Sequence, residues 1–250
     1  MTSKSGISLL EVIIAVFIVV IAAIAATAII TSSFQINRIS KNKMIAANLA
    51  REGIEGVRNI RDSNWLRYSS IRDECWNFME NPEAATPVYS CTSGNKIGHQ
   101  KYYALQFGRY DQKNSTIPYT YKWYLSEITE LTLIYPLENI SKSELDTSPY
   151  KLKLRDLLRG NDGNGDGNTM NDIDESVFAA TSSGISDQDS IPTTFYRQIY
   201  VEYIDTDGNG TPDANDSGMK VTSRVVWFEK GNPKTIKLVS QITNYLESNE

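Results

Sequence analysis

Five oxygen-bearing side chains recur at fixed intervals late in the chain: Asp205, Asp207, Asn209, Asp213 and Asp216. Counted from Asp205 they fall at positions 1, 3, 5, 9 and 12, with Gly210 at position 6. Calcium takes about six to eight oxygen ligands around a tight turn, and a glycine at the sixth position permits that turn. A polar hairpin tip rich in turn formers is the simpler reading of the same residues. A tip needs only a couple of them, however, and the four acids here have no basic neighbour, which favours a metal. A second stretch begins alike with Asp162, Asn164, Asp166 and Gly167, but Met170 and Ile173 fall where positions 9 and 12 would be. Asp172, Asp174 or Glu175 can close a calcium site there with shifted geometry; the alternative is a disordered acidic loop.

The first spacing resembles EF-hand-like calcium loops without a helix on either side. Charge distribution agrees with a local cation. The chain has a formal charge of -5, yet residues 162–189 hold seven carboxylates and residues 205–216 four more, with no Lys or Arg in either stretch. Without those 11 the remainder is net +6. There is no basic stripe of the kind nucleic acid requires. Two cysteines, Cys75 and Cys91, lie 16 apart among turn residues, either as the ends of a short loop or as two thiols. The one histidine, His99, sits in a Gly-Asn-Lys-Ile-Gly-His-Gln segment and reads as a solvated loop residue. No phosphate loop, nucleophile elbow or zinc spacing occurs, so the sequence gives no reason to expect an enzyme.

The remaining residue with chemical potential is Glu11, the single charge in residues 7–30. As a helix that run covers about 36 Å, enough for a bilayer's hydrocarbon core. A secretory signal peptide, with Lys4 as its basic part and Ala26-Thr27-Ala28 as its cleavage site, would be shorter and would not carry an acid. An ordinary membrane anchor also leaves Glu11 unexplained, because a carboxylate deep in a membrane helix costs about 3 kcal/mol on insertion scales.

Lys4-Ser5-Gly6 followed by Ile7-Ser8-Leu9-Leu10-Glu11-Val12 resembles the type IV prepilin signal of pilins and pseudopilins. That family has a short basic leader, a glycine, and an apolar helix with Glu at its fifth residue. The resemblance implies cutting between Gly6 and Ile7 by a prepilin peptidase and methylation of the new amine. It implies that Glu11 pairs with the terminal ammonium of a neighbouring subunit during assembly. Ile7 stands where the family usually has phenylalanine. The helix-breaking glycine and proline common in major pilins are absent, Val20 and Ala28 lying where they might fall, as in many minor pilins and pseudopilins. The implied partners are other pilin-like subunits, the peptidase, an inner-membrane assembly platform and membrane lipid. The implied location is a single pass of the inner or cytoplasmic membrane with the head outside, then a filament or the cell surface. For an exported head, Cys75 and Cys91 are expected to pair, worth about 3 kcal/mol in the loop-entropy picture. A minor pilin, a pseudopilin of a secretion or DNA-uptake machine, and an anchored calcium-dependent adhesin all remain compatible.

The elements that must carry these residues follow from periodicity. The resemblance implies that residues 1–6 are the leader; 7–30 are then expected to be the membrane half of a helix and 31–61 its amphipathic half. Ile36, Ile39, Lys43, Ala46, Ala47, Ala50, Ile54 and Val57 recur at spacings of three and four. This predicts one helix of about 54 residues, on the order of 80 Å. Residues 62–250 make the head, in which acidic loops occupy 161–190 and 205–218. Tyr103-Leu105-Phe107 and Tyr119-Tyr121-Trp123-Leu125 alternate as strands do, and 195–204, 219–228 and 235–243 are stronger strands. The 14 tyrosines suit a sheet with half-wet faces. The period is unclear over 128–160, and 164–191 reads as a long inserted loop. The expected class is α+β: a pilin-like fold with a long N-terminal helix packed on an antiparallel sheet.

Overall fold

The structure is a computed structural model and describes residues 9–68, 70–79, 91, 96–110, 120–156, 178–182 and 190–244. It divides into two units, Met1–Ile45 and Ala46–Glu250.

The described part of the first unit is the beginning of helix α1 (Leu9–Arg67). No glycine or proline occurs from residue 9 to 52, so nothing interrupts the backbone hydrogen bonds there. The apolar side chains of residues 9–30 are exposed, and the segment is long and apolar enough to cross a membrane. The hydroxyls of Thr27, Thr31 and Ser33 donate to carbonyls three or four residues earlier at 2.8–3.1 Å. Polar groups satisfied within their own helix are what a bilayer interior demands.

In the second unit α1 lies on a sheet. Its buried residues are Ala46, Ala50, Gly53, Ile54, Gly56, Val57, Ile60, Arg61 and Asn64. The contact stripe therefore starts at Ala46, and Ile36 and Ile39 are exposed. Two glycines set the approach. A Cβ on Gly56 would stand 2.5 Å from Leu105 Cδ2, and one on Gly53 would collide with Ser223 Oγ and reach 3.1 Å from Arg197 Cδ. The helix also runs six residues past the expected end at 61. Its last turns are held from outside: Arg61 Nη1 donates to Thr243 O at 3.2 Å and Trp65 Nε1 to Asn244 Oδ1 at 3.0 Å.

After α1 come a one-turn helix α2 (Arg72–Cys75) and strands β1 (Lys101–Tyr110) and β2 (Thr120–Glu127). A six-residue helix α3 (Lys142–Thr147) follows, then β3 (Lys151–Asp156), β4 (Phe178–Ser182), β5 (Ser190–Ile204), β6 (Gly218–Glu229) and β7 (Asn232–Thr243). All pairings are antiparallel. β5 is the central strand. Tyr196 pairs with Val226 on one side and Lys151 on the other, and Val201 pairs with Val221 and Lys101. One edge of β5 thus carries β6 and then β7, while the other is shared by β1 with β2 and β3 with β4. β4 falls inside the stretch read as a loop; Phe-Ala-Ala-Thr-Ser is too short to show a period, and its strand is seen only in its pairing with β3.

Alternation assigns the faces. Tyr103, Leu105, Ile199, Val201, Tyr203, Val221 and Ile242 join Ile54, Val57 and Ile60 of α1 in one core. Ala104, Tyr196 and Val226 point the other way and are covered by Ile128, Leu133, Leu137, Ile140, Leu145 and Tyr150. That second layer is a correction: the middle of the sheet is dry on both faces. Four tyrosines belong to these two clusters, two in each, and each of the four hydroxyls has a partner, as burial requires. Gly98 N–H donates to Tyr103, while Tyr150 donates to Leu133 O, Tyr196 to Asp146 and Tyr203 to Ile97 O. A long N-terminal helix on an antiparallel sheet is the α+β, pilin-like arrangement expected.

Candidate functional site

The loop between β5 and β6 contains the first acidic motif. Gly208 and Gly210 adopt φ of +73° and +83°, left-handed values that other residues rarely hold. The turn they allow folds the backbone N–H groups inward: Gly208 donates to Asp205 Oδ1 at 2.8 Å and Gly210 to Asp205 Oδ2 at 2.9 Å. Asp207 Oδ1 accepts from Asn209 N–H at 3.0 Å. Asp216 is buried and braces the base of the loop, accepting from Thr206 N–H at 2.7 Å and Asp213 N–H at 2.8 Å. Burial alone pushes the Asp216 carboxyl up, but the N–H groups of Thr206, Asp213 and Asp207 with the Thr206 hydroxyl outweigh it and hold it below the usual range.

Asp205, Asp207 and Asp216 offer oxygens that lie within 4.8 Å of one another. The other two motif residues turn elsewhere: Asn209 Oδ1 accepts from Thr211 N–H at 2.8 Å, and Asp213 Oδ1 from Asn215 N–H at 2.7 Å. Three hard carboxylate oxygens gathered around a tight turn are a donor set of the kind a hard cation such as calcium takes. No ion pair joins Asp205, Asp207 or Asp216 to a basic side chain among the described residues.

Cys75 and Cys91 form a disulfide, with Cα atoms 5.5 Å apart. The bond packs with Tyr68 and Phe78 in a small cluster. Glu11 lies in the first turn of α1 and its side chain is exposed. Gly6 and Ile7, and the second acidic motif of Asp162, Asn164 and Asp166, lie outside the described residues. His99 is not a solvated loop residue: it is half-buried, and its Nδ1 accepts the N–H of Tyr203 at 2.9 Å.

Sequence reasoning missed the ion pair that fixes α1 to the sheet. The Arg197 side chain is wholly buried and lies 3.0 Å from Glu52 Oε1 of α1. It also donates to Leu49 O at 3.3 Å and stands 5.7 Å from the Trp123 ring centre. The available signal was parity: position 197 shares its face with Phe195, Ile199 and Val201, where a solvated arginine has no place. No family model, curated protein or solved structure matches the chain.

Proposed function

We propose that this chain is a prepilin-type subunit, a minor pilin, of a type IV pilus-like filament. On this reading it is processed after Gly6 and assembled through α1, with the head outside the membrane. The observation that carries the reading is Glu11, an acid at the fifth residue after Gly6 within an apolar helix long enough to cross a membrane. An acid in that setting marks a site awaiting a partner charge. The unbroken course of α1 and its small-residue contact with the sheet support the same reading. A pseudopilin of a secretion or DNA-uptake machine shares these features, and purification of the filament distinguishes the two.

Mass spectrometry of the mature N-terminus tests the proposal. The expected chain begins at Ile7 with a methylated amine. A chain that keeps Met1, or that starts near residue 29, overturns it.

The β5–β6 loop serves this head as a calcium-filled brace, held by Asp205, Asp207 and Asp216. Bound calcium would offset two of the three gathered negative charges and fix the hairpin tip; outside the cell even a weak site of this class fills. Calcium at about a hundred times its Kd adds about 2.7 kcal/mol, which in a chain of this size raises Tm by roughly 5–10 °C. Thermal unfolding of the full chain in detergent, with calcium and then with chelator, reads the shift. An Asp205→Ala/Asp207→Ala chain is expected to lose it; an equal shift in that variant would refute the site.

A further inference from the structure

Beyond its apolar stretch α1 changes character twice. Residues 9–30 are apolar apart from Glu11 and Thr27. Hydroxyls and amides follow at Thr31, Ser32, Ser33, Gln35 and Asn37, and then three bases, Arg38, Lys41 and Lys43. The chain has no acid between Glu11 and Glu52. All three bases are exposed, and none meets a carboxylate among the described residues. Arg38 and Lys41 are three residues apart on one helix face, where like charges repel unless an anion lies against them.

The three zones have the depths of a bilayer's layers. A bilayer holds about 30 Å of hydrocarbon within about 40–45 Å overall, so each headgroup layer is roughly 5–8 Å deep. At about 1.5 Å per residue, residues 31–35 cross such a layer, and the Cα of Arg38 stands about 12 Å beyond Ile30. Side chains on an α-helix lean toward its N-terminus, here back toward the apolar stretch. The Arg38 guanidinium therefore reaches the level of headgroup phosphates, whose paired oxygens its planar fork matches. Lys41 and Lys43 follow about 4.5 and 7.5 Å farther along the axis. Both stay within the roughly 8 Å over which charge acts at physiological salt.

We propose that Arg38, Lys41 and Lys43 form a collar that binds anionic lipid headgroups at the head-side end of the membrane span. The inference rests on the membrane-spanning reading of α1 and adds the lipid that this end of the helix meets. An acidic protein surface would match the charge alone. A lipid layer matches the charge and also the graded passage from apolar to hydroxyl and amide to basic residues. The collar gives the helix a set depth: sliding inward carries the bases toward hydrocarbon, and sliding outward parts them from the phosphates.

The test uses the full chain reconstituted in phosphatidylcholine vesicles that carry a trace of spin-labelled phosphatidylglycerol or, separately, spin-labelled phosphatidylcholine. Electron spin resonance reads how much of each labelled lipid is held at the protein. The wild-type chain is expected to favour the anionic lipid about fivefold. In about 1 M salt, where screening shortens to about 3 Å, the ratio is expected to fall toward one. Arg38→Gln is expected to remove most of the preference and Lys43→Gln least, in order of distance from the span. Arg51→Gln, an equal change of charge in the second unit, is expected to leave it intact. Equal retention of the two lipids by the wild-type chain overturns the collar, as does an Arg51→Gln loss as large as that of Arg38→Gln. Cross-links through Lys41 or Lys43 that join two copies while both lipids are held equally assign the stretch to a protein partner instead. A chain stripped from the vesicles by alkaline carbonate overturns the membrane reading and the collar together. One that resists carbonate and shows no lipid preference overturns the collar alone.

Discussion

A Glu11→Ala chain is expected to insert in the membrane and lose its leader, yet to be missing from filaments. Its insertion cannot be the weak step, because removing a carboxylate from residues 7–30 relieves a cost of about 3 kcal/mol on insertion scales. What it loses is the partner of an ammonium. On the proposed reading, cutting after Gly6 would leave a charged amine at Ile7, and in an assembled filament that charge would lie out of water. Removing one member of a desolvated pair leaves the other uncompensated, at about 3–5 kcal/mol. At 1.4 kcal/mol per decade this is a loss of roughly a hundredfold or more in assembly. Immunoblots of sheared filaments against membranes measure it, and Glu11→Gln separates charge from shape. Filaments formed by the alanine chain at the wild-type level would leave only an anchor, and the adhesin reading would take its place.

The second large effect concerns the head itself, and it is asymmetric. Glu52→Ala is expected to destabilise the head by about 3 kcal/mol, whereas Arg197→Met costs much less. The asymmetry follows from where each group lies. Arg197 has no exposed side-chain surface, while Glu52 retains 31% of its own. Burial pulls the Arg197 guanidinium below its usual range and the Glu52 carboxylate opposes that, so the pair is held together by mutual need. Without Glu52 the guanidinium stays charged in the core and loses this carboxylate, with Leu49 O and the Trp123 ring among its remaining neighbours. Without Arg197, Glu52 can turn to water, and methionine fills the space. Urea denaturation of both variants gives the comparison. Equal losses would mean that packing around Trp123 matters more than charge. A loss of this size is a large share of the roughly 5–15 kcal/mol that a typical domain has.

The parts of this architecture governed by short-range pattern could be read from the chain. Period two placed the strands at 195–204, 219–228 and 235–243, all within β5, β6 and β7. The alanines at 46 and 50 marked the face of α1 that meets the sheet. The spacing of Asp205, Asp207 and Asp216 anticipated their convergence, because a turn through two left-handed glycines brings positions 1, 3 and 12 together. What could not be read depends on contacts between distant residues. Leu133, Leu137, Ile140 and Leu145 have no steady period, since they cover a sheet face from an irregular segment. The extension of α1 to Arg67 relies on Thr243 and Asn244 at the far end of the chain. The bond from Asn215 N–H to Asp213, like those that the loop N–H groups give Asp205 and Asp207, depends on the folded turn and has no mark in the spacing.

The central place of β5 governs the order in which the head can be completed. β1 finds no partner in β5 until nearly the whole chain has been made, for Tyr103 pairs with Ile199. By contrast β6 and β7 are joined by a two-residue turn and β5 and β6 by the acidic loop, so all three are close in sequence and can form as soon as they exist, in keeping with the ease of local over distant pairing. The apolar stripe of α1, though synthesised first, has only early residues such as Trp76, Leu105 and Leu125 to lie on until that C-terminal meander is present. The nascent head is therefore a chain waiting on its own last quarter, with Ile54, Val57 and Ile60 half covered in the interval. On the proposed reading, a membrane holding residues 7–30 would keep such chains apart while they wait.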